Sequence, residues 1–278
     1  MAQLNKTFKS PKCYRVMQTL NNWVSNFGFD LRKFLAIRGL LRVIKEYRLL
    51  RKQNNNELSK WKINFVAPNL SDRYEASGVA LGHYFHQDLL VARKIFQRNP
   101  IKHVDVGSRV ETFVAHVATF RQIEVLDIRP LISKTRGISF RQCDLMNLPD
   151  DLIESCDSVS CLHALEHFGL GRYGDSIDIN GYLQGFKNLY KILKYDGILY
   201  LSFPIGTQRI EFNSHRVFSI QTPLIWAKGR FELIEFSYVD DRGELHMDQI
   251  SNIESIAARD DLHYGCGIYE FKKIQDQP

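Results

Sequence analysis

The chain has 278 residues, of which 44% are hydrophobic and 24% charged, as is typical of a globular protein with a sizeable core. It contains no apolar run near the about 18 residues of a membrane span, and MAQLNKTFKSPKC at its start predicts no secretory signal. Residues 1–60 carry 13 Lys/Arg against 3 Asp/Glu, whereas the other 218 residues carry 24 against 28. The main part is therefore mildly acidic, which argues against a nucleic-acid-binding protein. The five cysteines form no C-x-x-C pair, as expected of reduced thiols in a cytosolic protein.

The first 60 residues contain a strongly basic segment, LRKFLAIRGLLRVIKEYRLLRKQ (31–53). From Ile37 onward its apolar residues recur at i, i+3, i+4, i+7 and i+10, which predicts a helix with an apolar stripe and a basic opposite face. Such a helix can lie on an anionic membrane surface or bind a partner protein. It can also pack its stripe on the main domain, the use that we favour. The polar run QNNNELSK (53–60) predicts a linker, so we expect a basic helical extension at 1–60 and one α/β domain at 61–278.

From about residue 78 onward, strand and helix patterns alternate along the chain. Residues 83–97, 109–120 and 182–193 each carry an apolar helical face. The predicted strands, in chain order, are 101–107, 123–129, 137–145, 157–165, 197–203, 231–240 and 267–273. Strands separated by helices of this length predict a mostly parallel α/β sheet with helices on both faces.

The carboxyl ends of the predicted strands carry acidic and histidine side chains. The first strand ends at Asp105 and Gly107, the second at Asp127 and the third at Asp144. The fourth runs into CLHALEHFG (161–169). Ligands of parallel sheets bind beyond these ends, where the strand order reverses, so we expect the three carboxylates to surround one crevice. The position of Asp127 suits a carboxylate that accepts hydrogen bonds from ribose hydroxyls.

These stretches resemble the class I S-adenosylmethionine-dependent methyltransferases. The likeness covers about residues 100–205 and rests on VDVG (104–107), VLDI (125–128), CDL (143–145), CLHALEHF (161–168) and LKYDGILYLSFP (193–204). More narrowly, GHYFHQDLLVARKIF, HALEHFGLGRYGD, FNSHRVFS and YGCGIYEF resemble a methyltransferase-like domain family of unknown function named from nematode proteins. The resemblance implies a Rossmann-like sheet, mostly parallel with an antiparallel strand near the carboxyl terminus, and S-adenosylmethionine as the cofactor.

The resemblance also implies a role for each strand end. Asp105 and Gly107 would shape the loop around the methionine part of the cofactor, and Asp127 would hold the ribose. Asp144 would meet the adenine amino group, although Asp at a strand end also forms turns without any ligand. The remaining implied cofactor contacts are Arg109, Ile128, Leu145 (or Met146) and Leu162.

The first loop departs from the family pattern, because Arg109 and Glu111 stand where the usual loop has its later glycines. Glycines there let the backbone approach a ligand closely. We expect Gly107 alone to make that approach, while Arg109 begins the helix and pairs with the carboxylate of the cofactor. The alternative is a degenerate loop that no longer holds a cofactor.

Four residues are candidates for catalysis on the substrate side: His163, Glu166, His167 and His215. Methyl transfer from a sulfonium needs alignment and, for a hydroxyl acceptor, a base, and histidine titrates in a suitable range. We predict His163 or His167 as that base. The alternative is that Glu166 and His167 form an interior hydrogen-bonded pair. Two histidines without a third firm ligand make a weak metal pattern, so no metal is expected.

Two polar segments, GLGRYGDSID (169–178) and FNSHR (212–216), predict loops near the substrate. In the second, His215 and Arg216 are placed to contact an acceptor, unless both segments are plain surface connections. The predicted helix before the first strand carries three polar residues, His83, His86 and Asp88. They could close over a cofactor, but solvent exposure is the simpler expectation.

Together these features favour an S-adenosylmethionine-dependent methyltransferase that acts on an oxygen of a sugar, a glycan or another polar small molecule. The competing class is a non-catalytic binding or scaffold protein of the same fold, suggested by Arg109 and Glu111. A nicotinamide-dependent dehydrogenase is disfavoured, because G-x-G-x-x-G is absent after the first strand. We expect a cytoplasmic protein with no nucleic-acid partner, and the alternative use of its basic helix is to hold it at a partner protein or at the inner face of the membrane.

Overall fold

The computed structural model describes residues 39–56, 61–70, 72–74, 77–247, 249–258 and 262–275, and the chain divides into two compact units, 1–79 and 80–278. In the first unit, helix α1 spans Leu40–Asn56. Its Tyr47 packs edge-on against Phe65, with ring centroids 4.9 Å apart. The helix thus continues into the predicted linker, whose residues 57–60 lie outside the described residues, as do residues 31–38 of the predicted helix. The use of its apolar stripe stays a prediction.

The second unit alternates strands and helices largely as predicted. Its helices are α2 (His83–Arg98), α3 (Ala115–Ala118, after a π-helical turn at Val110–Val114), α4 (Gly181–Ile192), α5 (Thr222–Ala227) and α6 (Ile253–Ala258). Its strands are β1 (His103–Val106), β2 (Ile123–Asp127), β3 (Ile138–Gln142), β4 (Cys156–Leu162), β5 (Leu193–Ile205), β6 (Arg209–Glu211), β7 (His215–Val217), β8 (Phe231–Val239), β9 (Leu245–His246) and β10 (Gly265–Lys273). Within the described residues, none of the helices has both the length and the apolarity that a bilayer crossing requires.

The main sheet has the strand order β3-β2-β1-β4-β5-β10-β8-β9. Strand β1 pairs in parallel with β2 and β4, and parallel pairing continues to β3 on one side and to β5 on the other. Strand β10 runs antiparallel between β5 and β8. The strand order reverses at β1, so a crevice is expected beyond Val106 and Leu162. This topology confirms the predicted class I methyltransferase fold, including the antiparallel strand near the carboxyl terminus.

The core consists of two hydrophobic layers, one on each face of the sheet. Along β5, Leu199 and Leu201 belong to one layer, whereas Ile198 and Tyr200 belong to the other, as the alternation of side chains along a strand requires. Helix α4 covers the first layer through Phe186, and helix α2 covers the second. Because both faces are covered, the polar residues that end the central strands are held on a rigid support.

Two predictions about polar segments are wrong. The segment 212–216 is not wholly a loop, because His215 begins β7, which pairs with β6 in a short hairpin. Strands of three residues are too short to produce a detectable alternation of polar and apolar residues. Asp88, expected in solvent, is 2% exposed, because it lies on the buried side of α2 and accepts a hydrogen bond from Gln87 Nε2 at 3.1 Å.

Candidate active site

A polar crevice opens at the carboxyl ends of β1, β2 and β4, in two adjoining parts. The larger part has a volume of about 690 Å³, and the smaller, more enclosed part has about 60 Å³. The residues that line both parts are Gly107, Asp127, Arg129, His163, His167 and Tyr173. All of these except Arg129 and Tyr173 were predicted site residues, so residues from three separate strand ends converge on one crevice.

The loop after β1 is held from behind by Asp105, which points into the protein. Its carboxylate accepts hydrogen bonds from the Ser108 amide (3.1 Å), the Ser108 hydroxyl (2.6 Å) and the Ser160 hydroxyl (2.5 Å). Complete burial raises the pKa of Asp105 to about 7 in spite of these bonds. Gly107 has φ +68°, a conformation that favours glycine, and it brings bare backbone to the crevice. Asp105 thus shapes the loop without entering the space of a ligand.

Arg109 and Glu111, the residues that replace glycines, line the larger part of the crevice. The Arg109 guanidinium carbon lies 4.0 Å from the centroid of the Tyr84 ring, a cation–π distance. Arg109 directly precedes the π-helical turn Val110–Val114, and such turns are frequent at functional sites. The Arg109 side chain therefore leaves the smaller part open and puts a positive charge on the wall of the larger part.

Asp127 ends β2, and Arg129 forms hydrogen bonds with both oxygens of its carboxylate. Arg129 donates to it from the amide (2.8 Å), from Nε (3.0 Å) and from Nη2 (2.6 Å). The same guanidinium lies 4.4 Å from the centroid of the Tyr173 ring, so Arg129 and Tyr173 form a partition between the two parts of the crevice. The 60 Å³ behind this partition suits about two water molecules. A nucleoside can enter only if the partition moves.

The predicted adenine-side residues lie on the wall of the smaller part, which includes Ile128, Asp144, Leu145 and Met146. Asp144 also caps the short turn that follows it, accepting hydrogen bonds from the Met146 amide (2.9 Å) and from Asn147 Nδ2 (2.7 Å). The turn-forming use of Asp144 is therefore present, and its carboxylate still borders the crevice. Leu162 lies instead on the wall of the larger part.

His163 and Glu166 form a buried ion pair at the end of β4. Nδ1 of His163 lies 2.9 Å from Oε1 of Glu166. Burial lowers the pKa of His163, but Cys266 and Glu166 favour its charged form and hold that pKa well above its ordinary value. Burial raises the pKa of Glu166, but the hydrogen bond and charge of His163 outweigh it and hold that pKa below its ordinary value. His163 is therefore a poor acceptor of a proton.

His167 borders both parts of the crevice as a neutral ring. Its Nδ1 lies 2.6 Å from the Ser214 carbonyl, so Nδ1 carries the proton and Nε2 is left to accept one. Burial lowers the pKa of His167. Nε2 is 3.7 Å from Oε1 of Glu166, which is too far for the interior hydrogen bond considered above. The structure thus separates the two histidines into a charged one and a neutral one.

The two residues of β7 that were expected at the acceptor have different surroundings. His215 lines the larger part of the crevice, and burial lowers its pKa. Arg216 is 3% exposed and donates to the carbonyls of Phe168 (2.6 Å) and Ile179 (3.1 Å). The expected contact of Arg216 with an acceptor is wrong, because its guanidinium fastens the loop that carries Tyr173.

Sequence analysis missed the aromatic residues of the crevice and its partition. Tyr84, Tyr173 and Tyr264 line the larger part together with Arg129. Arg129 had a local signal, because an Arg two residues after a strand-end Asp can fold back onto the carboxylate, and Tyr173 lies in the segment 169–178 that was predicted to be near the substrate. The three tyrosines come from distant segments that no local pattern links.

Comparison with known proteins finds one matching family. The family described as "Caenorhabditis protein of unknown function, DUF268" matches residues 108–258. No curated protein matches the chain. Among solved structures, the 4+2 cyclase SpnF is 14% identical with a TM-score of 0.48, and the match covers 68% of this chain and 81% of that chain.

Two methyltransferases with bound S-adenosylhomocysteine are similar to the same extent. The 1,6-didemethyltoxoflavin-N1-methyltransferase of Burkholderia thailandensis is 13% identical, with 68% of this chain and 79% of that chain covered and a TM-score of 0.49. The N-methyltransferase NodS of Bradyrhizobium japonicum is 12% identical, with 70% and 89% covered and a TM-score of 0.48.

Proposed function

We propose that this chain is an S-adenosylmethionine-dependent methyltransferase. It belongs to the family described as "Caenorhabditis protein of unknown function, DUF268". The acceptor that we propose is a hydroxyl oxygen of a sugar, a glycan or another polar small molecule. One observation carries the proposal: a glycine, a strand-end carboxylate and a neutral histidine (Gly107, Asp127 and His167) border one crevice at the reversal of strand order.

The residues of the crevice fit this cofactor in shape and charge. A Cβ added at Gly107 would lie 2.9 Å from Ala164 Cβ, so the loop is built for bare backbone at that point. Asp127 would release the Arg129 guanidinium and accept hydrogen bonds from the ribose hydroxyls in its place. Arg109 would face the carboxylate of the methionine part. S-adenosylmethionine supplies an already activated methyl group, so the task left to the protein is alignment and proton removal.

The wall of the larger part suits a hydroxyl acceptor. Oε2 of Glu166 is buried and has no hydrogen-bond partner within the described part of the chain. An unpaired buried carboxylate oxygen costs free energy, and a second hydroxyl of a polyol acceptor that donates to it would remove this cost. His167 would accept the proton of the reacting hydroxyl on Nε2, and its Nδ1–H would stay bonded to the Ser214 carbonyl.

A second candidate function is a binding protein of the same fold without turnover. The observation that favours it is the partition, because Arg129 occupies the Asp127 carboxylate and, with Tyr173, restricts the smaller part to about 60 Å³. The two candidates differ in whether the partition opens for a nucleoside.

Titration calorimetry of the full chain with S-adenosylhomocysteine tests the proposal. We expect saturable binding that Asp127→Asn weakens by about 1–3 kcal/mol, or about 5- to 150-fold. Asp151→Asn is the matched control, because Arg141 makes the same kind of bidentate ion pair with Asp151 on a surface turn. Its Nη1 and Nη2 donate to the two carboxylate oxygens at 2.5 and 2.9 Å. Absence of heat at millimolar ligand would favour the binding protein, and equal affinities of the two variants would remove the ribose role of Asp127.

The base is tested separately, by the rate of S-adenosylhomocysteine formation with a panel of sugars and other polyols. His167→Gln should keep cofactor affinity within about twofold and lower the rate by about 10²–10⁴-fold, the usual contribution of a positioned base. His116→Gln, which changes an exposed histidine of α3, is the control. A variant at His167 with full activity would end this assignment.

The cellular location belongs to the same proposal. The described cysteines, Cys143, Cys156, Cys161 and Cys266, are all free, which suits the reducing cytoplasm. The basic residues of α1 suit the inner membrane face or an acidic partner protein. Deletion of residues 1–53 should leave cofactor affinity unchanged if this segment only addresses the enzyme. Loss of folding would show that the segment belongs to the core.

A further inference from the structure

Three side chains of metal-ligating type meet beside the crevice. His83 is the first residue of α2, His163 follows β4, and Cys266 is the second residue of β10. Because β10 runs antiparallel to β5, it begins at the sheet edge where the parallel strands end, and Cys266 therefore comes beside His163. The potential ligand atoms of the three side chains all lie within 4.8 Å of one another.

We propose that His83, His163 and Cys266 bind a divalent transition-metal ion, with Zn²⁺ as the best match. Zn²⁺ binds thiolate sulfur at about 2.3 Å and imidazole nitrogen at about 2.0–2.1 Å, so ligand atoms around a tetrahedral ion are about 3.3–3.6 Å apart. The three atoms need to approach by about an ångström, which side-chain torsions can supply. One thiolate and two imidazoles favour Zn²⁺ over the oxygen-seeking Mg²⁺ and Ca²⁺.

The two histidines are already oriented as metal ligands are. Nδ1 of His163 is held by Glu166 at 2.9 Å, and its Nε2 is buried without a hydrogen-bond partner among the residues described. Nε2 of His83 lies 3.2 Å from the Tyr264 carbonyl, which leaves Nδ1 for an ion. A metal-bound histidine almost always donates its other N–H to a carboxylate or a backbone carbonyl, and one of each is present here.

The backbone and the thiol also support the site. His163 has φ +51°, and non-glycine residues in this sparsely populated region cluster at functional sites. Sγ of Cys266 is buried and makes weak contacts of 3.7 Å with Gln87 Oε1 and with the Gly267 carbonyl. Metal binding would replace these contacts with a metal–sulfur bond and release the protons of the thiol and of His163 Nε2 to solvent.

An ion with these three protein ligands keeps one position for water or for an oxygen of a bound molecule. His163 is part of the crevice wall, so the ion would stand at the edge of the larger part. The sequence pattern predicted no metal, because the third ligand is separated from His163 by about a hundred residues. The inference does not depend on methyl transfer.

Cobalt titration of the full chain, after dialysis against a chelator and without S-adenosylmethionine, tests the site. We expect one Co²⁺ per chain with the charge-transfer absorption of a cobalt–thiolate bond, and Zn²⁺ should abolish this absorption. Cys266→Ser should lose it. Cys161→Ser, which changes an equally buried thiol on β4, should keep it. Glu166→Gln should weaken Zn²⁺ binding by about 10–100-fold, as expected for a residue that orients a ligand.

Two results would overturn the inference: no saturable binding at micromolar metal, or a charge-transfer band that survives in Cys266→Ser. If Cys266→Ser does not fold by circular dichroism, His83→Gln decides, because this change lies at the partly exposed start of α2 and should weaken Zn²⁺ binding by about a hundredfold or more. Since no cofactor is added, failure of metal binding leaves the proposed methyl transfer standing, and failure of S-adenosylhomocysteine binding leaves the metal site standing.

Discussion

The stability of a Gly107→Ala variant tests whether the first loop needs bare backbone at Gly107. In Gly107→Ala the new side chain meets two costs. At φ +68° an L-residue is less favourable by about 1–2 kcal/mol. Its Cβ would also lie 2.9 Å from Ala164 Cβ, and overpacking of this kind costs about 1–3 kcal/mol. We therefore expect the free energy of unfolding to fall by about 2–5 kcal/mol.

A matched variant separates the two costs. Gly229 has φ +76°, and no described atom lies within 4 Å of the Cβ position. Gly229→Ala should therefore lose only the conformational part, about 1–2 kcal/mol. In a chain that already carries Ala164→Gly, the contact is gone, and adding Gly107→Ala should cost no more than Gly229→Ala does.

Urea unfolding followed by tryptophan fluorescence and by circular dichroism measures these differences. The midpoint should fall in the order wild type, Gly229→Ala, Gly107→Ala, with unchanged slopes. If Gly107→Ala destabilises the chain no more than Gly229→Ala, the loop yields freely at Ala164. The argument that close packing demands bare backbone at Gly107 would then be refuted.

Two further predictions concern the carboxylates of Asp127, which is paired with Arg129, and of the buried Asp105. Arg129→Gln frees Asp127 from an ion pair worth about 0.2–1 kcal/mol, so S-adenosylhomocysteine should bind up to about fivefold more tightly in calorimetry; weaker binding would mean that Arg129 itself contacts the ligand. Burial raises the pKa of Asp105 from 3.8 to about 7, so between these values the folded state keeps a proton that the unfolded state releases, and this contribution to stability falls as pH rises toward 7. The stability difference between wild type and Asp105→Asn should therefore shift in favour of wild type by about 3 kcal/mol from pH 8 to pH 5, as measured by urea unfolding at both values. The paired measurement cancels the opposite contribution of His103, whose pKa burial lowers to about 3, and parallel pH profiles would contradict the buried carboxyl.

Much of the fold was predictable because it depends on local periodicity. The helix predicted at 83–97 is α2 (His83–Arg98), and the strand predicted at 123–129 is β2 (Ile123–Asp127). In α2 the apolar repeat matches the buried face, whereas the apolar residues of β2 are buried on both faces of the sheet, so burial selects both elements. The hairpin of β6 and β7 escaped prediction because its strands of three residues are too short to show a repeat.

The candidate site was predictable only in outline. That Asp105, Asp127 and Asp144 end neighbouring strands follows from strand order and spacing, and the last two border the crevice. Asp105 turns inward instead, because the Ser108 and Ser160 hydroxyls and the Ser108 amide satisfy its carboxylate there. A pattern of residue types predicts where the strands end, but it does not predict which hydrogen-bond partners each side chain has.

The sequence by itself determined the alternation of strands and helices, the fold that follows from it and the acidic strand ends, because these depend on neighbours a few residues apart. Only the tertiary structure decided that Arg129 occupies Asp127, that Glu166 binds His163 rather than His167, and that Cys266 joins His83 beside them. The physical reason is that hydrogen bonds and charge pairs form between atoms a few ångströms apart in space. Their choice of partner is set by the packing of segments that are distant in the chain.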